Sequence, residues 1–208
     1  MKVGVECYPM GELGANCYIV TDESGEMLVV DPGVRSEKLN RRIQSCGADQ
    51  LRYILLTHGH FDHIGGVAAL KQAFPSAKII IGQKDAVFTE KDNLNLSLFF
   101  EGSIEHFTPD LTVQDGDRLP FADGAVEVIA TPGHTEGGMC YVIGDCIFTG
   151  DTLISMTTGR TDFPTGSARE MRESMHKLAG IPEDLKVYCG HGESSMLEYE
   201  RLYNPFMG

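Results

Sequence analysis

Thr57-His58-Gly59-His60-Phe61-Asp62-His63 decides the reading of this chain: three of its seven histidines fall within six residues, with an aspartate between the second and third. Directly before it stands Tyr53-Ile54-Leu55-Leu56, a short apolar run of the kind buried in a sheet interior. After it, Ile64-Gly65-Gly66 leads into residues 67–74, whose pattern predicts a helix stopped by Pro75, and residues 78–81 predict another strand. The order strand, histidine loop, helix, strand puts the histidines on the loop that follows a strand, where α/β folds hold their chemistry. The His-x-His spacing lets neighbouring side chains of one turn converge on a single ion, while the Asp-His pair that follows faces another.

Outward from this stretch, residues 2–8, 16–20 and 26–30 read as strands, the last ending in Asp31-Pro32-Gly33. Ser36 is the expected N-cap of a helix over 37–45 that Gly47 closes. Residues 86–110 crowd Phe88, Leu94, Leu96, Leu98, Phe99, Phe100 and Phe107 without a clean period. They predict a helix and loop along one edge of the site, with most of these side chains in the core. Residues 111–129 read as β-structure broken at 114–117 and 122–124, leading into Ala130-Thr131-Pro132-Gly133-His134-Thr135. A hairpin over 139–148 ends in Thr149-Gly150-Asp151. Ser167 and Glu170 have the spacing of a capping box, opening a helix to about Leu178, and a strand over 186–189 ends in Gly190-His191-Gly192. Each half carries strands and helices, which suits a four-layer sandwich with facing sheets.

Four turns after strands thus present metal-capable side chains: His58, His60, Asp62 and His63, then His134, Asp151 and His191. Seven groups are too many for one tetrahedral zinc, which takes three or four protein ligands. They fit two ions: His58, His60 and His134 on the first, Asp62, His63 and His191 on the second, with Asp151 bridging. Burying so many polar groups at turns calls for a metal to compensate. His106 and His176 stand alone in sequence and read as structural or surface residues.

Asn16-Cys17-Tyr18, Asp31-Pro32-Gly33, the THxHxDH loop, Thr131-Pro132-Gly133-His134-Thr135, Thr149-Gly150-Asp151-Thr152-Leu153, Gly159-Arg160-Thr161-Asp162-Phe163, Gly190-His191-Gly192 and Asn204-Pro205-Phe206 together resemble the metallo-beta-lactamase superfamily, and within it the glyoxalase II-like hydrolases. The resemblance covers nearly the whole chain. It implies an α/β fold, a four-layer αββα sandwich over residues 1–208; the sequence is expected to depart from classical glyoxalase II at its end, without the additional helical domain that carries the glutathione-binding residues. It implies metals at the edge between the sheets, held by the seven residues above, with Asp31 either steadying the ligand loop or merely capping its turn. Arg160 and Asp162 are expected as a structural pair beneath the Asp151 loop, with substrate contact as the alternative. The best-known zinc β-lactamases place a cysteine among the ligands of the second metal, whereas the bridging position here is Asp151, which points away from lactams.

The expected cofactor is two divalent ions, zinc first, with iron or manganese open because His/Asp sites accept each. Between two dications a hydroxide forms at neutral pH. Asp62 is the expected catalytic residue, orienting that hydroxide. A thioester such as S-lactoylglutathione or another acyl-thiol suits the site, because a thiolate whose conjugate acid has a pKa of about 8.5 leaves without a strong general acid. Two alternatives compete: a mononuclear-iron persulfide dioxygenase, whose family shares the HxHxDH loop and the GRTDF segment, and a metal-binding module without catalysis.

The totals bound the rest. Thirty acidic against seventeen basic residues give a formal charge of −13, which argues against nucleic acid. No apolar stretch approaches the length of a membrane span, and the first residues lack a signal-peptide pattern. Six scattered cysteines without a CxxC pair read as free, mostly buried thiols of a reducing cytoplasm. The expected partner is a small-molecule substrate, with neither nucleic acid nor membrane.

Overall fold

The protein is described from a computed structural model covering residues 1–100 and 103–208. In the first half, β1 (Val3–Met10), β2 (Ala15–Asp22), β3 (Met27–Val30), β4 (Leu51–Leu56), β5 (Lys78–Gly82) and β6 (Leu111–Val113) form one sheet in that spatial order. Strands β1 to β3 pair antiparallel, and β3 to β6 pair parallel. Parallel neighbours need crossovers. Those crossovers carry α1 (Glu37–Cys46), then α2 (Phe61–Ile64) with α3 (Val67–Ala73), and then α4 (Ser97–Phe100).

The second half begins with the meander β7 (Arg118–Phe121), β8 (Gly124–Ala130), β9 (Met139–Ile143) and β10 (Cys146–Gly150). A small ribbon, β11 (Leu153–Ile154) with β12 (Thr157–Thr158), and α5 (Ala168–Ala179) follow. The chain closes with β13 (Lys186–Cys189), β14 (Ser195–Met196) and α6 (Leu197–Tyr203). The second sheet runs β14-β13-β10-β9-β8-β7, with β10 and β13 parallel.

Three apolar cores separate four layers. Successive residues of a strand point to opposite faces, so Ile19, Val29, Ile54 and Leu56 pack outward on Leu39 and Ile43 of α1 and Val67 and Leu70 of α3. Their neighbours Tyr18, Val20, Leu28, Val30 and Leu55 face inward, against Val126, Val128, Tyr141, Ile143 and Phe148 of the second sheet. On the far side, Cys140, Ile147 and Val187 pack on Met171, Met175 and Leu178 of α5 and Leu197 of α6. Burial on both faces is why these strands read as continuous apolar runs. The result is the expected αββα sandwich.

The two sheets are tied to each other at one edge by hydrogen bonds. Tyr141 Oη donates to the Leu56 carbonyl (2.8 Å), Tyr18 Oη to that of Cys189 (2.6 Å), and the Met139 N–H to that of Thr57 (2.8 Å). All three sit where β4 and β13 end.

Some local expectations need correction. Ser36 caps α1 through the Leu39 N–H (3.2 Å), as predicted. Ser167 likewise accepts from the Glu170 N–H, but its own N–H donates to the Gly133 carbonyl (2.8 Å), so Glu170 does not close the capping box. In the 86–110 segment Phe88 and Leu96 are buried, whereas Leu98, Phe99 and Phe100 are 57%, 67% and 57% exposed, with Phe100 stacked on Phe61 (5.2 Å). Residues 101 and 102 of that segment lie outside the described residues. Helix α6 and the 3-10 stretch Gln83–Glu90 were not foreseen. The six cysteines are free, four of them buried and Cys7 exposed. Among the described residues no helix is long and apolar enough to cross a membrane.

Candidate metal centre

Five strands deliver the site from their C-terminal ends, the end at which α/β sheets hold ligands. β3 runs into Asp31, β4 into Thr57 and His58, β8 into the loop carrying His134, β10 into Asp151, and β13 into the turn carrying His191. His60 lies at the N-terminus of α2, whose single turn carries Asp62 and His63, and the His63 ring returns to within 4.2 Å of the His58 ring. All seven sequence-predicted residues converge.

They fall into two groups. Donor atoms of His58, His60 and His134 lie within 4.8 Å of one another, as do those of Asp62, His63 and His191. In the first group His60 Nδ1 is 2.8 Å from His134 Nε2. In the second, His191 Nε2 is 3.3 Å from both Asp62 Oδ2 and His63 Nε2. Asp151 stands between them: Oδ2 is 3.5 Å from His134 Nε2 and 3.6 Å from His191 Nε2, and Oδ1 is 3.5 Å from His63 Nε2. Gly190 leaves room for this meeting, because a Cβ there would strike Asp151 Oδ1 and the His63 ring.

Neighbouring groups fix the rings. His134 Nδ1 donates to the Arg160 carbonyl (2.7 Å), which leaves Nε2 with its lone pair facing the cluster. His63 Nδ1 pairs with Asp31 Oδ2 (3.0 Å), and Nε2 points to Asp62 and Asp151. Asp31 also accepts from the Thr57 N–H (2.8 Å) and Thr57 Oγ1 (2.6 Å). Its oxygens are therefore occupied in holding the end of β4, a support role of the kind that orients metal ligands. Asp31 does this from the left-handed region, at φ 50°.

The electrostatics divide in the same way. Burial, then the neighbouring imidazoles, push His58 and His60 well below the usual histidine range. Burial also works against a charged His63, but Asp62, Asp151 and Asp31 overcome it and push it up to about 10. Burial opposes ionisation of Asp62, yet His63 and His191 hold its carboxyl below the usual range. The hydrogen bond to Asp62 raises His191 in turn. A metal ion that takes His63 must displace a proton.

Among the described residues, three buried side-chain polar atoms lack a hydrogen-bond partner: His58 Nε2, His60 Nε2 and Asp151 Oδ1. All three belong to this cluster. An unpartnered buried polar atom costs about 1–3 kcal/mol, and such atoms in a folded protein point to an ion or water at the site. Imidazoles and carboxylates in this number fit divalent ions, so the donor set suits the metals that the sequence implied.

Other residues stand apart. His106 pairs with Asp92 (2.9 Å) and His176 approaches the Gly208 carbonyl (3.2 Å), both at the surface. Arg160 and Asp162 form a bidentate pair at 2.7 Å, exposed rather than beneath the Asp151 loop. The Arg160 guanidinium lies 3.9 Å over the ring of Phe163, which meets His60 edge-on at 5.8 Å. Phe163 and the fully buried Asp85 escaped sequence reasoning as site residues. Phe163 had the GRTDF segment as its signal; Asp85, a single acid in an unpatterned stretch, had none.

Two facing sheets with outer helices, and histidines and aspartates gathered where their strands end, give the fold of a metallo-hydrolase superfamily with a candidate metal centre. The chain matches the metallo-beta-lactamase superfamily over residues 10–191 and belongs to it. It is 32% identical to the hydroxyacylglutathione hydrolase GloC of Haemophilus influenzae, over 99% of this chain and 98% of that protein. Among solved structures it is similar to BLEG-1, described as a B3 metallo-beta-lactamase, with a TM-score of 0.87 and 30% identity over 98% of this chain and 99% of that one. TTHA1623, solved in a di-iron-bound form, gives a TM-score of 0.85 and 30% identity over 97% and 99%.

Proposed function

We propose that this member of the superfamily is a two-metal hydrolase of small acyl-thiols, of the S-lactoylglutathione type. The observation that carries the reading is the set of three orphaned donor atoms, His58 Nε2, His60 Nε2 and Asp151 Oδ1, in a cluster that also holds Asp62, His63, His134 and His191. His58, His60 and His134 would hold one ion and Asp62, His63 and His191 the other, with Asp151 shared. When bound, two such ions acidify water and polarise a carbonyl.

The chain's own residues supply the rest. Asp62, kept ionised beside His63 and His191, accepts a hydrogen bond from the attacking water and orients it. The His191 and Asp62 side chains are 28% and 15% exposed while those of His58, His60 and His63 are buried, so substrate approaches over the second group. Phe163, with Arg160 above it, walls the side next to His60. A thiolate, with a conjugate-acid pKa of about 8.5, departs without a dedicated acid. The GloC relative supports a thioester. BLEG-1 is described as a B3 metallo-beta-lactamase, so a β-lactam belongs among the substrates tested.

The test is elemental analysis of protein purified without added metal, beside assays with S-lactoylglutathione, other thioesters, a β-lactam and an oxygen electrode. The expected result is two ions per chain, thioester hydrolysis and no oxygen uptake, with His60→Ala lowering metal content and activity together. Full activity in His60→Ala removes the mechanism. One iron with oxygen consumption replaces it with the persulfide dioxygenase.

A further inference from the structure

Asp85 lies in the 3-10 stretch Gln83–Glu90, between the two sheets' contributions to the site, and is fully buried. Its Oδ2 accepts from the Gly59 N–H (2.9 Å) and from Thr135 Oγ1 (2.7 Å), and its Oδ1 from the Gly137 N–H (2.8 Å). Gly59 separates His58 from His60, and Thr135 follows His134. One carboxylate therefore grips the loop after β4, from the first sheet, and the loop between β8 and β9, from the second. The contact is close: a Cβ on Gly137 would strike Asp85 itself, and one on Gly59 would strike Phe88 three residues further along the same stretch.

None of these bonds reaches Asp62, His63, Asp151 or His191 themselves, although Gly59 lies on the loop that also carries Asp62 and His63. His63 has its own buried carboxylate in Asp31. Asp31 also reaches His58, through Thr57 Oγ1 at 3.1 Å from His58 Nδ1, whereas Asp85 joins the loop of His58 and His60 to the loop of His134.

We infer that Asp85 is a positioning residue for the His58, His60 and His134 half of the centre, setting the separation of those three rings and so the affinity of that half for its ion. The inference rests on the two-ion reading above. The geometry is directional: three N–H or O–H donors point at one carboxylate, so an amide in its place must turn its NH2 toward at least one of them. Asp85→Asn keeps the size and loses the match. Because Gly59 and Thr135 are tied through the same oxygen, Oδ2, loosening the carboxylate loosens His58 and His60 relative to His134.

The test titrates metal-free protein with zinc against a chromophoric chelator. Wild type, Asp85→Asn and Thr135→Val are compared with Val126→Ala, a cavity variant in the core between the sheets. Wild type is expected to bind two ions. Asp85→Asn is expected to keep one at unchanged affinity and weaken the other by about 10- to 100-fold, the usual effect of removing a group that orients a metal ligand. Thr135→Val is expected to weaken the same ion by a smaller factor, which keeps the test available if Asp85→Asn does not fold. His134→Ala combined with Asp85→Asn is expected to bind as His134→Ala alone. The inference is overturned if both affinities in Asp85→Asn stay within twofold of wild type, or if both fall in parallel as in Val126→Ala. Wild-type protein that takes up fewer than two zinc ions overturns the two-ion reading itself, and the inference with it.

Discussion

Removing the Asp31 carboxylate separates two contributions that one residue makes. Asp31 is 2% exposed and accepts three hydrogen bonds, from the Thr57 N–H, Thr57 Oγ1 and His63 Nδ1. Hydrogen bonds to a charged partner contribute about 1.5 kcal/mol each at the low end, so Asp31→Ala is expected to cost about 4.5 kcal/mol in the metal-free protein. For a chain of this size that lowers Tm on the order of 10 °C. Asp31→Asn keeps one accepting oxygen and is expected to lose about half as much. The backbone adds a second signal. At φ 50° an alanine Cβ crowds the following carbonyl, a penalty of about 1–2 kcal/mol that glycine escapes. Asp31→Gly is therefore expected to be about 1 kcal/mol more stable than Asp31→Ala, although it has the smaller side chain. Urea unfolding of the four metal-free proteins at neutral pH reads both. The reasoning fails if Asp31→Ala stays within about 1 kcal/mol of wild type, or if Asp31→Ala is more stable than Asp31→Gly.

Three further outcomes follow from the structure. His63 titrates near 10 in the metal-free fold against 6.5 for an ordinary histidine, so its contribution to stability is complete below 6.5 and is lost as pH rises through about 10. Thermal melts of metal-free protein are expected to decline over that window, and His63→Gln to remove that part of the decline. At pH 7 zinc binding is expected to release a proton from the same ring, read as a dependence of the calorimetric heat on buffer ionisation enthalpy; equal heats in all buffers contradict it. Gly59→Ala drives a methyl into the fully buried Phe88 and is expected to cost about 1–3 kcal/mol by overpacking, measured by denaturant unfolding.

The sequence was most legible where burial was two-sided. Leu28, Val29 and Val30 or Ile79, Ile80 and Ile81 could be apolar without interruption because alternate residues enter different cores, and such runs announce interior strands. The seven converging donors were legible because each follows such a run and sits in a turn rich in glycine. What stayed hidden depended on distant partners. The Ser167 N–H found the Gly133 carbonyl, from a loop more than thirty residues earlier, and so broke a locally plausible capping box. Helix α6 starts at Leu197, and Met196 before it offers no side-chain cap, so no punctuation marked it. Leu98, Phe99 and Phe100 looked like core because apolar residues usually are, and their exposure is set by where α4 lies on Phe61. Asp85 could be located only once both loops it grips were in place.

Tyr141, Tyr18 and Met139 fasten one sheet to the other just below the donors. Because His58, His60, Asp62 and His63 come from one half of the chain and His134, Asp151 and His191 from the other, the spacing of the donors is a ruler laid across the joint. On the two-ion reading, a relative slip of the halves would change the affinity for metal. These partners are far apart in sequence, and such contacts form late and slowly in folding. Tight metal uptake by a newly made chain would therefore mark the moment at which its two halves have docked.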